Sequence, residues 1–233
     1  MKITHIKDKL IELEHPIENF SLGDFDVIGE FTAKKNRNPS SILYKDVGCF
    51  FRPNYERGML IYALIRKYKI QSYLEIGFGR GYSAFCAAKA MDEDGINGKI
   101  TTIDPSFDRE HLQNLTRVFP KSWFEKMNFI QEKSETAIST LDKFDMIYID
   151  GDHTYEAVKK DWDLCKDRWN KVILFDDYHL PTKQLDSNIE VTKVVDQIED
   201  FSKELIIMDR RIFFDDRKMK DEEIDYGQVI LTK

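Results

Sequence analysis

The sequence predicts an α/β fold, a single doubly wound and mostly parallel sheet with helices on both faces. Three observations carry this. Short apolar runs alternate with helical patterns from residue 55 to about residue 180, as strand–helix–strand crossovers require. Those runs (73–76, 146–149 and 172–175 among them) show no polar alternation, which fits strands covered on both faces. After Pro181 the pattern changes to a helix at about 189–202 and two strands, 204–214 and 228–232. These are joined by a charged connection, 215–225, that holds no helix of useful length, so the pair is expected to be antiparallel.

Residues 1–54 read as an N-terminal extension of the same domain, and residues 55–233 as its main body. Leu10, Ile11 and Leu13 suggest a short helix or strand, which Pro16 ends. The polar, turn-rich run 33–41 is a loop, either a solvated surface segment or a lid. A helix over 55–69 places Leu60, Leu64 and Tyr68 on one face and leads into a strand at 72–76. A helix at 82–91 follows, small and apolar along Ala84, Ala87 and Ala88, then a turn and a second strand, 99–103, closing on Asp104. Next come a helix at 108–119 (Leu112, Leu115, Val118), a strand at 127–131, a short helix at 135–142 and a strand at 146–149 that ends on Asp150. The helix expected at 154–169 carries Val158, Trp162, Cys165 and Trp169 on one buried face. The strand at 172–175 then ends on Asp176 and Asp177. There are no internal repeats and no low-complexity linker.

Composition sets outer bounds. A chain of 233 residues, 42% hydrophobic and 33% charged, is ordinary for a globular domain that buries a sizeable core. No apolar run approaches the length of a membrane span, and the charged N-terminus has no signal-peptide core, so a cytoplasmic location and no membrane partner are expected. Three dispersed cysteines, with no C-x-x-C, argue against a disulfide framework or a thiolate zinc site. A net charge of −7 with scattered Lys and Arg argues against a nucleic-acid partner. Oligomeric state is not readable, and a homo-oligomer stays open.

The stretch from Ser72 to Ser83 carries the first functional signal. An apolar strand ends in Gly77-x-Gly79-x-Gly81 and a helix begins at once, so a ligand can approach the backbone closely and face free helix N–H groups. The spacing differs from the G-x-G-x-x-G of dinucleotide sites, and the lysine of a phosphate-binding loop is missing. Acidic Glu75, just before the loop, suits a ligand with an ammonium group. Asp104 is placed either to accept hydrogen bonds from ribose hydroxyls or to start a turn before Pro105.

These residues resemble a known family. Glu75-Ile76-Gly77-Phe78-Gly79-Arg80-Gly81, then Asp104, Ser134-Glu135 and Asp150, are similar to the successive motifs of class I S-adenosylmethionine-dependent methyltransferases. The segments around Asp150 (IYIDGDHTYEAVKKDW) and Asp176 (ILFDDYH) look like the small-molecule O-methyltransferases that use a divalent metal, of catechol and antibiotic-sugar type. The resemblance implies a Rossmann-like sheet of seven strands in the order 3-2-1-4-5-7-6, with the last strand antiparallel. It further implies that Glu75, Gly77, Gly79 and Gly81 hold the methionine end of S-adenosylmethionine, with Ser83 at its carboxylate. Asp104 would take the ribose, and Ser134 and Glu135 would border the adenine. Phe51, Arg52 and Asn54 lie where the family's upstream segment closes over the cofactor. The acceptor would be a small molecule or sugar bearing a hydroxyl.

In such a fold Asp150, Asp176 and Asp177 end neighbouring strands about 5 Å apart at the sheet's carboxyl edge. Acids so placed repel unless protonated or paired with a cation, and their oxygens suit Mg2+ or Mn2+. They are the expected metal ligands. His153 stands where the sugar-modifying relatives have a histidine, and it is expected to take the acceptor's proton, with Asp150 beside it. Asp152 and His179 are candidate supporting residues, and Asp152 and Thr154 are also candidate helix caps. Three other readings remain: a methyltransferase that needs no metal, an iron site of His153, His179 and a carboxylate, and a cofactor-binding protein without catalysis.

Overall fold

A computed structural model describes residues 1–15, 22, 55–79, 81–107, 109–117, 119–180, 189–208 and 226–233. The loop at 33–41, Phe51, Arg52 and Asn54, Arg80, Val118, positions 209–214 of the expected strand and the connection 215–225 lie outside the described residues.

In chain order the strands are β1 (Lys2–His5), β2 (Ser72–Ile76), β3 (Lys99–Ile103), β4 (Met127–Ile130), β5 (Phe144–Ile149), β6 (Trp169–His179), β7 (Ser202–Ile207) and β8 (Tyr226–Thr232). The helices are α1 (Ile6–Glu12), α2 (Tyr55–Tyr68), α3 (Tyr82–Glu93), α4 (Arg109–Leu115), α5 (Lys121–Glu125), α6 (Ser134–Ala137), α7 (Tyr155–Cys165) and α8 (Val191–Asp196). All strands form one sheet in the order β1-β7-β8-β6-β5-β2-β3-β4. Without β1 this is the order 3-2-1-4-5-7-6 that the family resemblance implies. Only β8 runs antiparallel, to both β6 and β7.

Among the described residues the sheet has eight strands where seven were expected. The added one, β1, pairs in parallel with β7. It is four residues long, too short for its KITH sequence to give a periodic signal. Its position is held by side chains around Glu204 of β7. Lys2 approaches Oε1 at 2.8 Å, Thr4 donates to Oε1 at 2.6 Å and Lys9 of α1 reaches Oε2 at 2.6 Å. Burial works against the charge on Glu204, and the bonds from Lys2, Lys9 and Thr4 overcome it, bringing the carboxyl down from 4.5 to about 2. A depressed folded-state pKa means this stabilisation is present above pH 4.5 and is lost as pH falls through 2. Glu204→Gln is therefore expected to cost about 1–3 kcal/mol at pH 7. In urea melts at several pH values, the gap between variant and wild type should narrow below pH 4.5; a constant gap would contradict the account.

Period-two alternation splits the buried side chains into two cores. Tyr73, Met146, Tyr148, Val172 and Leu174 face α1, α2, α3 and α5. Leu74, Ile76, Ile147, Ile149, Ile173 and Phe175 face α6, α7 and α8. Three element boundaries differ from expectation. The helix expected at 108–119 is α4, and a separate helix, α5, begins after Pro120, which cannot continue a helix interior. Helix α7 ends at Cys165, and Trp169 begins β6 opposite Phe144. Its burial comes from the sheet, although its spacing matches a helical face. Helix α8 covers only Val191–Asp196, and Ile198 and Phe201 pack from the turn that follows.

Candidate active site

The glycine loop joins β2 to α3 at the carboxyl edge of the sheet. Gly77 has φ +92, and a Cβ there would stand 2.0 Å from the Asp150 carbonyl oxygen, so only glycine lets the loop pass this close to the end of β5. Its N–H donates to the Ile103 carbonyl at 2.9 Å. Gly81, at φ +91, precedes α3, and a Cβ there would meet the Phe78 ring at 2.5 Å. Gly79, at φ +51, faces open space.

Asp104, at the end of β3, braces this loop. Its Oδ2 accepts from Gly79 N–H at 3.0 Å, and its Oδ1 accepts from the backbone and hydroxyl of Ser106 at 2.8 and 2.7 Å. The turn role weighed in the sequence is thus present, and the carboxylate keeps acceptor capacity beyond these bonds. Glu75 lies beneath the loop, fully buried, and accepts a bond from the Ser83 hydroxyl, while its Oε2 has no hydrogen-bond partner. Burial raises its pKa well above 4.5, against the Ser83 bond, and the charges of Asp150 and Asp104 add to the rise. Ser134 begins α6, and its hydroxyl donates to Asp161 of α7. Glu135 stands beside it, 3.5 Å from Lys160.

Across the loop, β5 and β6 deliver the acids. Tyr148 and Asp150 share one face by alternation, and the Tyr148 hydroxyl donates to Asp150 Oδ2 at 3.1 Å. In β6 the register with β8 shifts between Phe175 and Tyr178, a bulge in which Asp176 and Asp177 stand against Gln228 alone. Asp177 has φ +52. In a regular strand consecutive side chains point to opposite faces, whereas here both acids reach one guanidinium. That guanidinium is Arg57, in the first turn of α2. It lies 2.5 Å from Asp176, and 3.5 Å from each of Asp150 and Asp177. Asp176, almost fully buried, also accepts from Gln228 Nε2 at 3.2 Å.

His153 Nε2 stands 3.0 Å from Asp177 and 3.6 Å from Asp150. Asp150 foremost, with the charges of Asp177 and Asp176, raises the imidazole to about 9 against the opposing effect of burial. Burial and then the Asp176 charge push Asp150 up to about 7, with His153 and Arg57 pulling it down. The surrounding carboxylates thus favour the protonated imidazole.

Among the described residues, Asp150, His153 and Asp177 form the group able to offer ligand atoms to one ion, all within 4.8 Å of one another. Asp176 of the expected metal set is turned to Arg57 and Gln228, and His179 is not in the group. Asp152 accepts from Thr154 N–H at 2.9 Å at the start of α7, as a cap does, while the Thr154 side chain makes no cap bond.

The sequence reading missed two residues. Arg57 precedes Gly58, where α2 lies so close to α3 that a Cβ would meet Cys86 Sγ at 2.6 Å. An arginine opening a helix whose next positions, 59–65, are continuously buried needs acidic partners, and that was its available signal. Asp161 is buried beside Trp162, and its burial lifts it to about 6 against the Ser134 bond. One cavity of about 720 Å³ unites these parts. Gly77, Gly79, Gly81, Asp104, Ser134 and Glu135 line it together with Arg57, Asp150, Asp152 and Asp161.

Residues 74–178 match the family model of a methyltransferase domain. No curated protein sequence matches the chain. Among solved structures, the O-methyltransferase TomG from Streptomyces achromogenes, involved in tomaymycin synthesis and in complex with SAM, superimposes with a TM-score of 0.59 at 15% identity, over 89% of this chain and 96% of its own. An O-methyltransferase from Bacillus cereus in complex with SAH has a TM-score of 0.59 at 14% identity, over 94% of this chain and all of its own (100%). Identities this low speak for the fold alone. Together with the match over residues 74–178, they show that the chain has the fold of these methyltransferases. Among the described residues, no helix is long and apolar enough to cross a membrane.

Proposed function

We propose that the chain transfers the methyl group of S-adenosylmethionine to a hydroxyl of a small molecule or sugar. The observation that carries this is the shared cavity: the glycine loop and Asp104 line one side, and Asp150 and Arg57 line the other. The size suits a cofactor of this class, since small-molecule sites span roughly 300–1,000 Å³. Bound there, S-adenosylmethionine supplies an electrophilic methyl on a sulfonium, and transfer to oxygen needs an acceptor that has given up its proton.

The chain's own residues provide the rest. Gly77, Gly79 and Gly81 admit the donor close to the backbone, and the free N–H groups at the start of α3, near Ser83, suit its carboxylate. The unpartnered Oε2 of Glu75, beneath the loop, is an acceptor matched to its ammonium group. Asp104 can take ribose hydroxyls while bracing Gly79, and Ser134, Glu135 and Asp161 border the adenine end. His153 takes the acceptor's proton, which requires the imidazole first to lose its own. Added positive charge nearby weakens the acids' hold on that proton. The carboxylates of Asp150 and Asp177 fit a divalent ion such as Mg2+ or Mn2+, which would supply Lewis acidity toward the acceptor oxygen, with His153 beside it left to take the proton.

Incubation with methyl-labelled S-adenosylmethionine and a panel of phenols, sugars, amines and thiols tests the reading by mass spectrometry. O-methylated product is expected; transfer to nitrogen or sulfur acceptors alone would overturn it.

A further inference from the structure

Arg57 stands where the charge of a metal ion would act. Its guanidinium faces Oδ2 of Asp150 at 3.5 Å and Oδ1 of Asp177 at 3.5 Å, and it pairs with Asp176 at 2.5 Å. The other oxygens of the first two acids, Oδ1 of Asp150 and Oδ2 of Asp177, face His153. Each of these carboxylates therefore bridges Arg57 and His153. Asp150 and Asp177 thus already face a protein cation, and a divalent ion entering the group meets that positive charge on the same carboxylates. Guanidinium does not lose its charge in proteins, so its own repulsion of the ion is relieved by movement.

We propose that Arg57 is a built-in cation that competes with divalent metal for Asp150 and Asp177, so that metal enters the Asp150–His153–Asp177 group only as Arg57 withdraws. This rests on the reading of that group as the acceptor half of a methyltransferase site. It makes Arg57 a positioning residue that sets metal affinity. Without its charge, those carboxylates lose one neighbouring cation and attract a metal more strongly.

The test is titration of the whole chain with Mn2+, followed by the electron paramagnetic resonance signal of the free ion. Arg57→Met is expected to bind Mn2+ at least about tenfold more tightly than wild type, and Arg57→Lys to stay near wild type. Adding Asp177→Asn to Arg57→Met should remove the gain. Equal Mn2+ affinity of wild type and Arg57→Met, or a gain that survives Asp177→Asn, overturns the proposal. Should Arg57→Met fail to fold, Arg57→Gln, which keeps a donor for Asp176 without the charge, gives the same reading. Calorimetry with S-adenosylhomocysteine on the same samples separates the two ideas. Absence of binding there undoes the methyltransferase reading and leaves the Mn2+ comparison to stand alone.

Discussion

Gly77→Ala is expected to abolish cofactor binding and to lower stability by about 3 kcal/mol or more. The added Cβ would lie 2.0 Å from the Asp150 carbonyl oxygen, 2.6 Å from its carbonyl carbon and 2.9 Å from the Gly151 Cα. All three are backbone atoms, and no side-chain rotation relieves the clash. The loops after β2 and β5 must separate, which displaces the donor's cradle and Asp150 together. The backbone is also at φ +92, which adds strain for any side chain. Gly79→Ala is the contrasting case. At φ +51 with nothing within 4 Å of the new atom, it should cost only about 1–2 kcal/mol. Thermal melts and calorimetry with S-adenosylhomocysteine on both variants check the ranking; a Gly77→Ala protein with normal binding would show the close approach to be wrong.

Asp177→Asn is expected to lower turnover by about 10²–10⁴-fold while leaving S-adenosylhomocysteine affinity within about threefold of wild type. Asparagine tolerates the left-handed backbone at φ +52, so the substitution removes charge and keeps the bulge. His153 loses a carboxylate at 3.0 Å, and Arg57 loses one of the acids it faces. Both effects fall on the acceptor half of the site, away from the glycine loop. Measured kcat with binding affinity on the same preparation distinguishes this from a general loss of fold. Equal falls in cofactor affinity and turnover would place Asp177 in the donor half instead.

The alternation of strands and helices and the placement of Gly77, Gly79, Gly81, Asp104 and Asp150 at strand ends were legible in the sequence, and the strand order came from the family resemblance. Buried parallel strands have continuous apolar cores, and their polar ends stand out against them. The eighth strand was not legible, because β1 is held by Glu204, two hundred residues away, and not by a local pattern. The acid cluster was legible as composition but not as geometry. Nothing in the pair Asp176-Asp177 announces a bulge, and without it Asp177 would turn away from the site. Arg57 was hidden because its partners lie on β5 and β6, about a hundred residues on, so only three-dimensional proximity reveals that the acids already have a cation. Trp169 shows the reverse error, in which helical spacing arose by coincidence in a residue that the sheet buries.

The glycine loop, Asp104 and the acid-lined wall line one cavity, in which the proposed function seats the cofactor. Calorimetric titration of the chain with S-adenosylmethionine, with and without Mg2+, tests it most directly. The account predicts saturable binding of one cofactor per chain under both conditions, lost in Gly77→Ala and kept in Asp177→Asn. No binding heat up to millimolar cofactor would contradict it.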